Sequence, residues 1–286
     1  MYLTDHTVAT SEMVLPQGHI RYYDVGVGPT ILFLHGFMTN ANLWRKVIPE
    51  LSGQFRCITP DWPLGSHTQP LRTEADLSPT GLVKLITDFL DAIGISTVTL
   101  VGIDLGGALC QMIAANHADR ISRLVLLPSG TFSPLVFHYL KAAPGGTILR
   151  SERKLPAAFG WATKRPIDPV ITKTYVDPIT SIVGIRQDTI KVVSGLASVD
   201  NEVLTSSTQN FKAPVLIAWP PEDRLYPFQR ALDLSRAFPN AKLASVEDSY
   251  TYVPEDQPKR LTSLMLEFMN EEADQPMPIP IQLISG

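Results

Sequence analysis

After His138 the chain contains no histidine at all. That gap removes the commonest general base from the whole second half of the molecule. Cysteine is scarce as well: only Cys57 and Cys110 occur. Both lie in apolar segments, which reads as two buried, inert thiols rather than a disulfide or half of a metal site. No Cys/His ligand spacing and no glycine-rich nucleotide loop is present, so neither metal nor organic cofactor is called for. Lys+Arg number 24 against 28 Asp+Glu, a net charge of −4. No basic cluster forms a nucleic-acid footprint. No apolar run approaches membrane-spanning length. The start, Met1 to His6, lacks the basic and apolar regions of a secretory signal, and a cytoplasmic location is expected. What remains is 44% hydrophobic and 18% charged over 286 residues, the make-up of a globular protein with a large core.

Short apolar runs punctuate the chain near 30–35, 55–60, 97–102 and 122–127, and again at Pro214-Val215-Leu216-Ile217-Ala218-Trp219. Consecutive apolar positions of this length fit strands covered on both faces. Helical patterns fall between them, near 42–51, 79–93 and 105–117. A strand near 242–247 and a helix near 256–270 close the series. The alternation predicts an α/β fold with a doubly wound, mostly parallel sheet. Residues 11–25 alternate more and predict an antiparallel hairpin at one edge. Between 131 and 210 the rhythm breaks into helix-compatible, proline-bearing sequence. The expected organisation is therefore a core from 1–130, a helical insertion at 131–210, a second core part at 211–272 and a proline-rich tail at 273–286.

One motif carries chemistry. Gly102-Ile103-Asp104-Leu105-Gly106-Gly107 ends a strand and opens a helix, with small residues flanking a reactive side chain, as a nucleophile elbow requires. The helix N-terminus favours negative charge at that point. The bland alternative is an N-cap aspartate that only stabilises its helix.

Four further segments fall in the order shown by the α/β-hydrolase superfamily, and from about Ile20 to Met269 the chain resembles it. His35-Gly36-Phe37 resembles the turn whose next amide, here Phe37 N–H, forms half of an oxyanion hole; Leu105 N–H would be the other half. Asp61-Trp62-Pro63-Leu64-Gly65 and Asn116-His117-Ala118-Asp119-Arg120-Ile121 match two further turns. Asp223 stands where the triad acid is found. By the same resemblance, 131–210 is a cap that sets substrate choice. An aspartate at the elbow resembles the haloalkane dehalogenase and epoxide hydrolase branch. There the carboxylate attacks carbon, and a histidine then activates water against the resulting ester.

The pattern is incomplete. The position matching that histidine is Thr251, whose hydroxyl is no base near neutral pH. General-base help is worth roughly 10²–10⁴ in rate, or about 3–5 kcal/mol. The tryptophan that follows the aspartate in dehalogenases is Leu105, and the proline of the epoxide hydrolase turn is Met38. His67, beyond a strand's C-terminal end where open α/β sheets bind ligands, is a candidate replacement base or else a loop histidine. His138 is a second candidate, and His35 reads as orienting its own turn. The catalytic candidates are thus Asp104, Asp223, Thr251 and His67. The expected activity is hydrolysis of an epoxide or related electrophilic carbon in a small apolar organic substrate. The alternatives are a lyase, isomerase or cyclase using Asp104 as base or anchor, and a degenerate ligand-binding protein.

Overall fold

The computed structural model describes residues 9–130, 159–196, 199, 204–205 and 207–271. The segment 131–158, which includes His138, and the 273–286 tail lie outside them.

Eight strands form one sheet in the order β1-β2-β4-β3-β5-β6-β7-β8. β1 (Thr10–Leu15) and β2 (Gly18–Val25) make the antiparallel edge hairpin, and β2 pairs antiparallel with β4 (Arg56–Pro60). From there β3 (Thr30–Leu34), β5 (Val98–Asp104), β6 (Ile121–Ser129), β7 (Val215–Trp219) and β8 (Ala241–Ser245) run parallel. The central strands are covered on both faces: every residue of β5 and β7 is buried. This explains why their sequences are apolar without alternation.

Helices close the layers. They are α1 (Ile48–Leu51), α2 (Pro79–Ala92), α3 (Leu105–Asn116), α4 (Pro169–Ser181), α5 (Val183–Leu196), α6 (Phe228–Ala237), α7 (Val253–Asp256) and α8 (Pro258–Asn270). None among the described residues is long and apolar enough to cross a membrane. The single helix expected over 42–51 is instead a 3₁₀ turn, Ala41–Trp44, followed by the short α1. Asn40 accepts the Asn42 amide at 3.1 Å and starts the tight turn. Pro49 cannot donate to the preceding turn, so the two pieces cannot fuse.

α4 and α5 lie between β6 and β7 in sequence and bond to the loops that follow β3 and β4. Asn40 Nδ2 donates to Thr174 O (3.1 Å), and Ser66 Oγ donates to Tyr175 O (2.7 Å). Asp188 accepts from Leu71 N at 2.8 Å and pairs with His67 Nε2 at 3.2 Å. From the other side, Tyr252 N donates to Ala162 O at 2.7 Å, and Asp256 accepts the amides of Lys164 and Arg165.

A buried ion pair ties the turn after β3 to α7. Arg45 and Glu255 form a two-pronged pair, and Lys46 reaches the same carboxylate at 2.9 Å. Removing one partner of a buried pair strands the other's charge. Arg45→Leu is expected to cost about 3 kcal/mol of unfolding free energy, measured by urea denaturation. Lys46 keeps the cost near the low end of that range.

Candidate active site

Asp104 ends β5 with φ 54° and ψ −126°, a left-handed backbone that an aspartate adopts only at a cost of about 1–3 kcal/mol. It stands at the N-cap position of α3, yet its side chain makes no capping hydrogen bond of the usual kind. The carboxylate turns instead towards the loop after β3. Phe37 N–H donates to Asp104 Oδ2 at 2.7 Å, and the Leu105 amide also holds the group. Two glycines make the approach possible. A methyl on Gly36 would lie 2.5 Å from Asp104 Oδ2, and one on Gly106 would lie 2.4 Å from the carbonyl oxygens of Leu34 and His35.

The second oxygen of the carboxylate meets a residue that the sequence alone does not single out. Tyr226 hydroxyl donates to Asp104 Oδ1. Tyr226 lies three residues after Asp223, and its own amide donates to Asp223 Oδ1 at 2.5 Å. One residue therefore links the two acids. The only signal in the sequence is its closeness to Asp223 in Asp223-Arg224-Leu225-Tyr226, and nothing in that spacing tells which way the phenol points.

Asp223 Oδ1 also accepts from Leu225 N (2.8 Å) and from Thr251 Oγ1 (3.1 Å), while its buried Oδ2 has no partner among the described residues. Thr251 thus occupies the place beside the acid, fully buried, and donates a hydrogen bond rather than accepting a proton. Arg224 does not pair with Asp223; its guanidinium lies 4.0 Å over the Tyr250 ring. Tyr252, by contrast, is buried, and its hydroxyl points to Phe37 O at 3.4 Å.

His67 goes elsewhere. It is buried and paired with Asp188 of α5, and among the described residues no imidazole is hydrogen-bonded to Asp104. His35 is committed at both nitrogens: Nδ1 bonds Gly36 O at 2.9 Å and Nε2 accepts Trp62 N at 2.9 Å. Burial pushes its pKa down to about 4, so it stays neutral and orients its turn.

Burial, opposed by the bonds from Tyr226, Phe37 and Leu105, raises the Asp104 pKa to about 6, and the nearby Asp223 charge adds to the rise. Burial raises Asp223 to about 6 as well, against the bonds it accepts. A carboxylate with a pKa near the working pH suits acid–base or nucleophilic work. Both cysteines are free and buried, with burial raising Cys57 to about 12.

Comparison with known proteins agrees with the fold. The family described as "alpha/beta hydrolase fold" matches residues 29–148. Haloalkane dehalogenase 2 of Mycobacterium tuberculosis is 28% identical over 268 residues, covering 88% of this chain and 91% of that one. Among solved structures, the carboxylesterase CesB of Bacillus subtilis superposes with TM-score 0.77 at 18% identity, covering 93% of each chain. The epoxide hydrolase CorEH superposes with TM-score 0.76 at 19% identity, covering 92% of this chain and 98% of that one. Residues 29–148 match the α/β-hydrolase-fold family, and over most of its length the chain is similar to haloalkane dehalogenases. It has the α/β-hydrolase fold, is related in sequence to haloalkane dehalogenases and shares its fold with the epoxide hydrolase CorEH.

The raised acids have a consequence for stability. A carboxyl whose folded pKa lies above its unfolded value stabilises the fold fully only below the unfolded value; that contribution is lost as pH rises through the folded one. For Asp104 the displacement from 3.8 to about 6 corresponds to roughly 3 kcal/mol, given up between about pH 4 and pH 6. Asp104→Asn is therefore expected to raise the thermal midpoint near pH 7.5 and to change it much less near pH 4. Calorimetry at the two pH values checks this.

Proposed function

We propose that the chain hydrolyses small apolar substrates at an electrophilic carbon, an epoxide or related strained ring, with Asp104 as the nucleophile. The observation that carries this reading is the division of labour on the Asp104 carboxylate. One oxygen accepts the Phe37 amide, the Leu105 amide also bonds the carboxylate, and the other oxygen faces a phenol. The first is where an oxyanion hole must hold charge when an ester at Asp104 is cleaved. The second is the oxygen free to attack carbon once the phenol turns to the substrate.

The same geometry selects among leaving groups. A departing halide needs N–H donors, and Leu105 brings only an alkyl side chain to the position after the nucleophile. A departing ring oxygen needs a proton, and Tyr226 carries one at the attacking oxygen. An epoxide or another strained oxygen ring therefore fits better than an alkyl halide, although a named relative is a haloalkane dehalogenase. α4 and α5 belong to the cap in this reading. His67 holds the loop after β4 to α5 through Asp188 rather than serving the chemistry. Asp223 fixes the turn that presents Tyr226.

Thr251 beside the acid favours one second reading. If no ester is hydrolysed, Asp104 is a general base or anchor for a lyase, isomerase or cyclase.

Intact-mass spectrometry after incubation with a panel of terminal epoxides separates the two. Nucleophilic attack predicts a mass addition on the Asp104 peptide, lost in Asp104→Asn, with diol as product. Turnover with no mass addition under quench, and no diol, would select the second reading. Attack requires ionised Asp104, so the rate of addition is expected to rise with pH through about 6. A rate that is flat from pH 5 to pH 8 would contradict the assignment.

A further inference from the structure

Among the described residues no imidazole is bonded to the nucleophile, and Tyr226 is a group placed to close the cycle. We propose that Tyr226 performs both proton transfers: it protonates the departing ring oxygen and, as phenolate, deprotonates the water that cleaves the Asp104 ester. This rests on the reading of Asp104 as the nucleophile.

Placement comes first. Tyr226 hydroxyl is bonded to Asp104 Oδ1, the attacking atom, so it lies where a substrate carbon and its ring oxygen must arrive. The residue is pinned at its backbone. Its amide donates to Asp223 Oδ1 (2.5 Å), its carbonyl accepts Trp219 Nε1 (2.9 Å), and its ring meets Trp219 edge-on at 6.4 Å. The phenol is buried and cannot trade its proton freely with bulk water.

The steps balance. Asp104 Oδ1 bonds to the ring carbon, the carbon–oxygen bond breaks, and the Tyr226 proton passes to the ring oxygen. This leaves an alkyl ester, a hydroxyl and a phenolate. The phenolate then takes one proton from water, and the hydroxide so formed adds to the ester carbonyl carbon. The oxyanion, on the former Oδ2, is held by the Phe37 and Leu105 amides. Collapse returns the Asp104 carboxylate, and the second water proton leaves on the product alcohol. Net, one epoxide and one water give one diol, and Tyr226 ends protonated.

Two features favour the phenolate at the right moment. In the resting site Tyr226 holds its proton firmly, because burial and the Asp104 charge both push its pKa well above 10. Esterification removes that charge, and with it one of the two influences that kept the proton in place. A half-buried cation also stands nearby. Arg230 donates from Nε to Ser129 O (2.5 Å), and its buried Nη2 has no partner among the described residues. The guanidinium and the Tyr226 ring edge converge on Gly130, where a methyl would lie 3.0 Å from Arg230 Nε and 3.2 Å from Tyr226 Cε1. A positive charge at that range stabilises the phenolate, and it lies in a low-dielectric setting where such attraction is strong.

A pair of probes tests the assignment on the full chain: a terminal alkyl epoxide and the primary alkyl bromide of the same chain length. Bromide leaves without a proton; the ring oxygen does not. In Tyr226→Phe the bromide is still expected to alkylate Asp104, and the ester is expected to persist as a stable mass addition. Epoxide opening and ester hydrolysis should each fall by roughly 10²–10⁴. Difluorotyrosine at position 226 keeps the ring and lowers the phenol pKa. It should shift the pH profile of ester hydrolysis towards acid, which a packing role would not do, and it carries the test if Tyr226→Phe fails to fold. Turnover of both probes by Tyr226→Phe at near-wild-type rates, or an unshifted profile with difluorotyrosine, would overturn the role of Tyr226 while leaving Asp104 as nucleophile. Absence of any Asp104 adduct in the wild type with either probe would overturn the nucleophile reading itself, and this proposal with it.

Discussion

The carboxylate of Asp104 must be held in a buried place, on a kinked backbone, and much of the architecture serves that constraint. The sheet delivers the residue at the end of β5, fully covered. The positive φ swings the side chain off its own helix and towards the loop after β3. That loop is braced in turn by His35 and Trp62, and by Asp61, which accepts the Ala41 amide at 3.0 Å and the Arg21 guanidinium. The strain and the desolvation are both unfavourable to folding, and they are sustained by the core around them. Sites of this kind trade stability for a group poised to react.

Much of this is legible in the sequence, for reasons that can be named. Asp104 stands out because few turns besides a nucleophile elbow set a reactive side chain between Gly102 and Gly106-Gly107. Phe37 and Leu105 follow from chain order, since the loop after β3 and the first amide of α3 converge whenever a parallel sheet places β3 beside β5. Thr251 and Asp223 are paired by the same order, and they do touch. Tyr226 is not legible. Its role depends on a turn that Asp223 builds by accepting two consecutive amides, and tertiary closure alone decides that the phenol lands on Asp104. The segment 42–51 misleads because its apolar spacing is helical while Asn40 and Pro49 impose two short pieces. His67 looks exposed in sequence, among Gly65, Ser66 and Thr68; only the packing of α5 reveals Asp188 opposite it.

Thr251, Asp223 and Tyr226 make sense together. Asp223 Oδ1 accepts the Thr251 hydroxyl together with the two amides that shape the Tyr226 turn. The acid then acts through the loop it folds.

Single turnover of an epoxide in water enriched in oxygen-18, followed by mass analysis of the Asp104 peptide, puts the nucleophile to the test. Attack by Asp104 and cleavage of the ester at its carbonyl carbon predict label in the Asp104 carboxylate and none in the first diol released. Label in the diol with none in Asp104 would mean that water attacks the substrate directly, and that Asp104 acts as a base rather than a nucleophile.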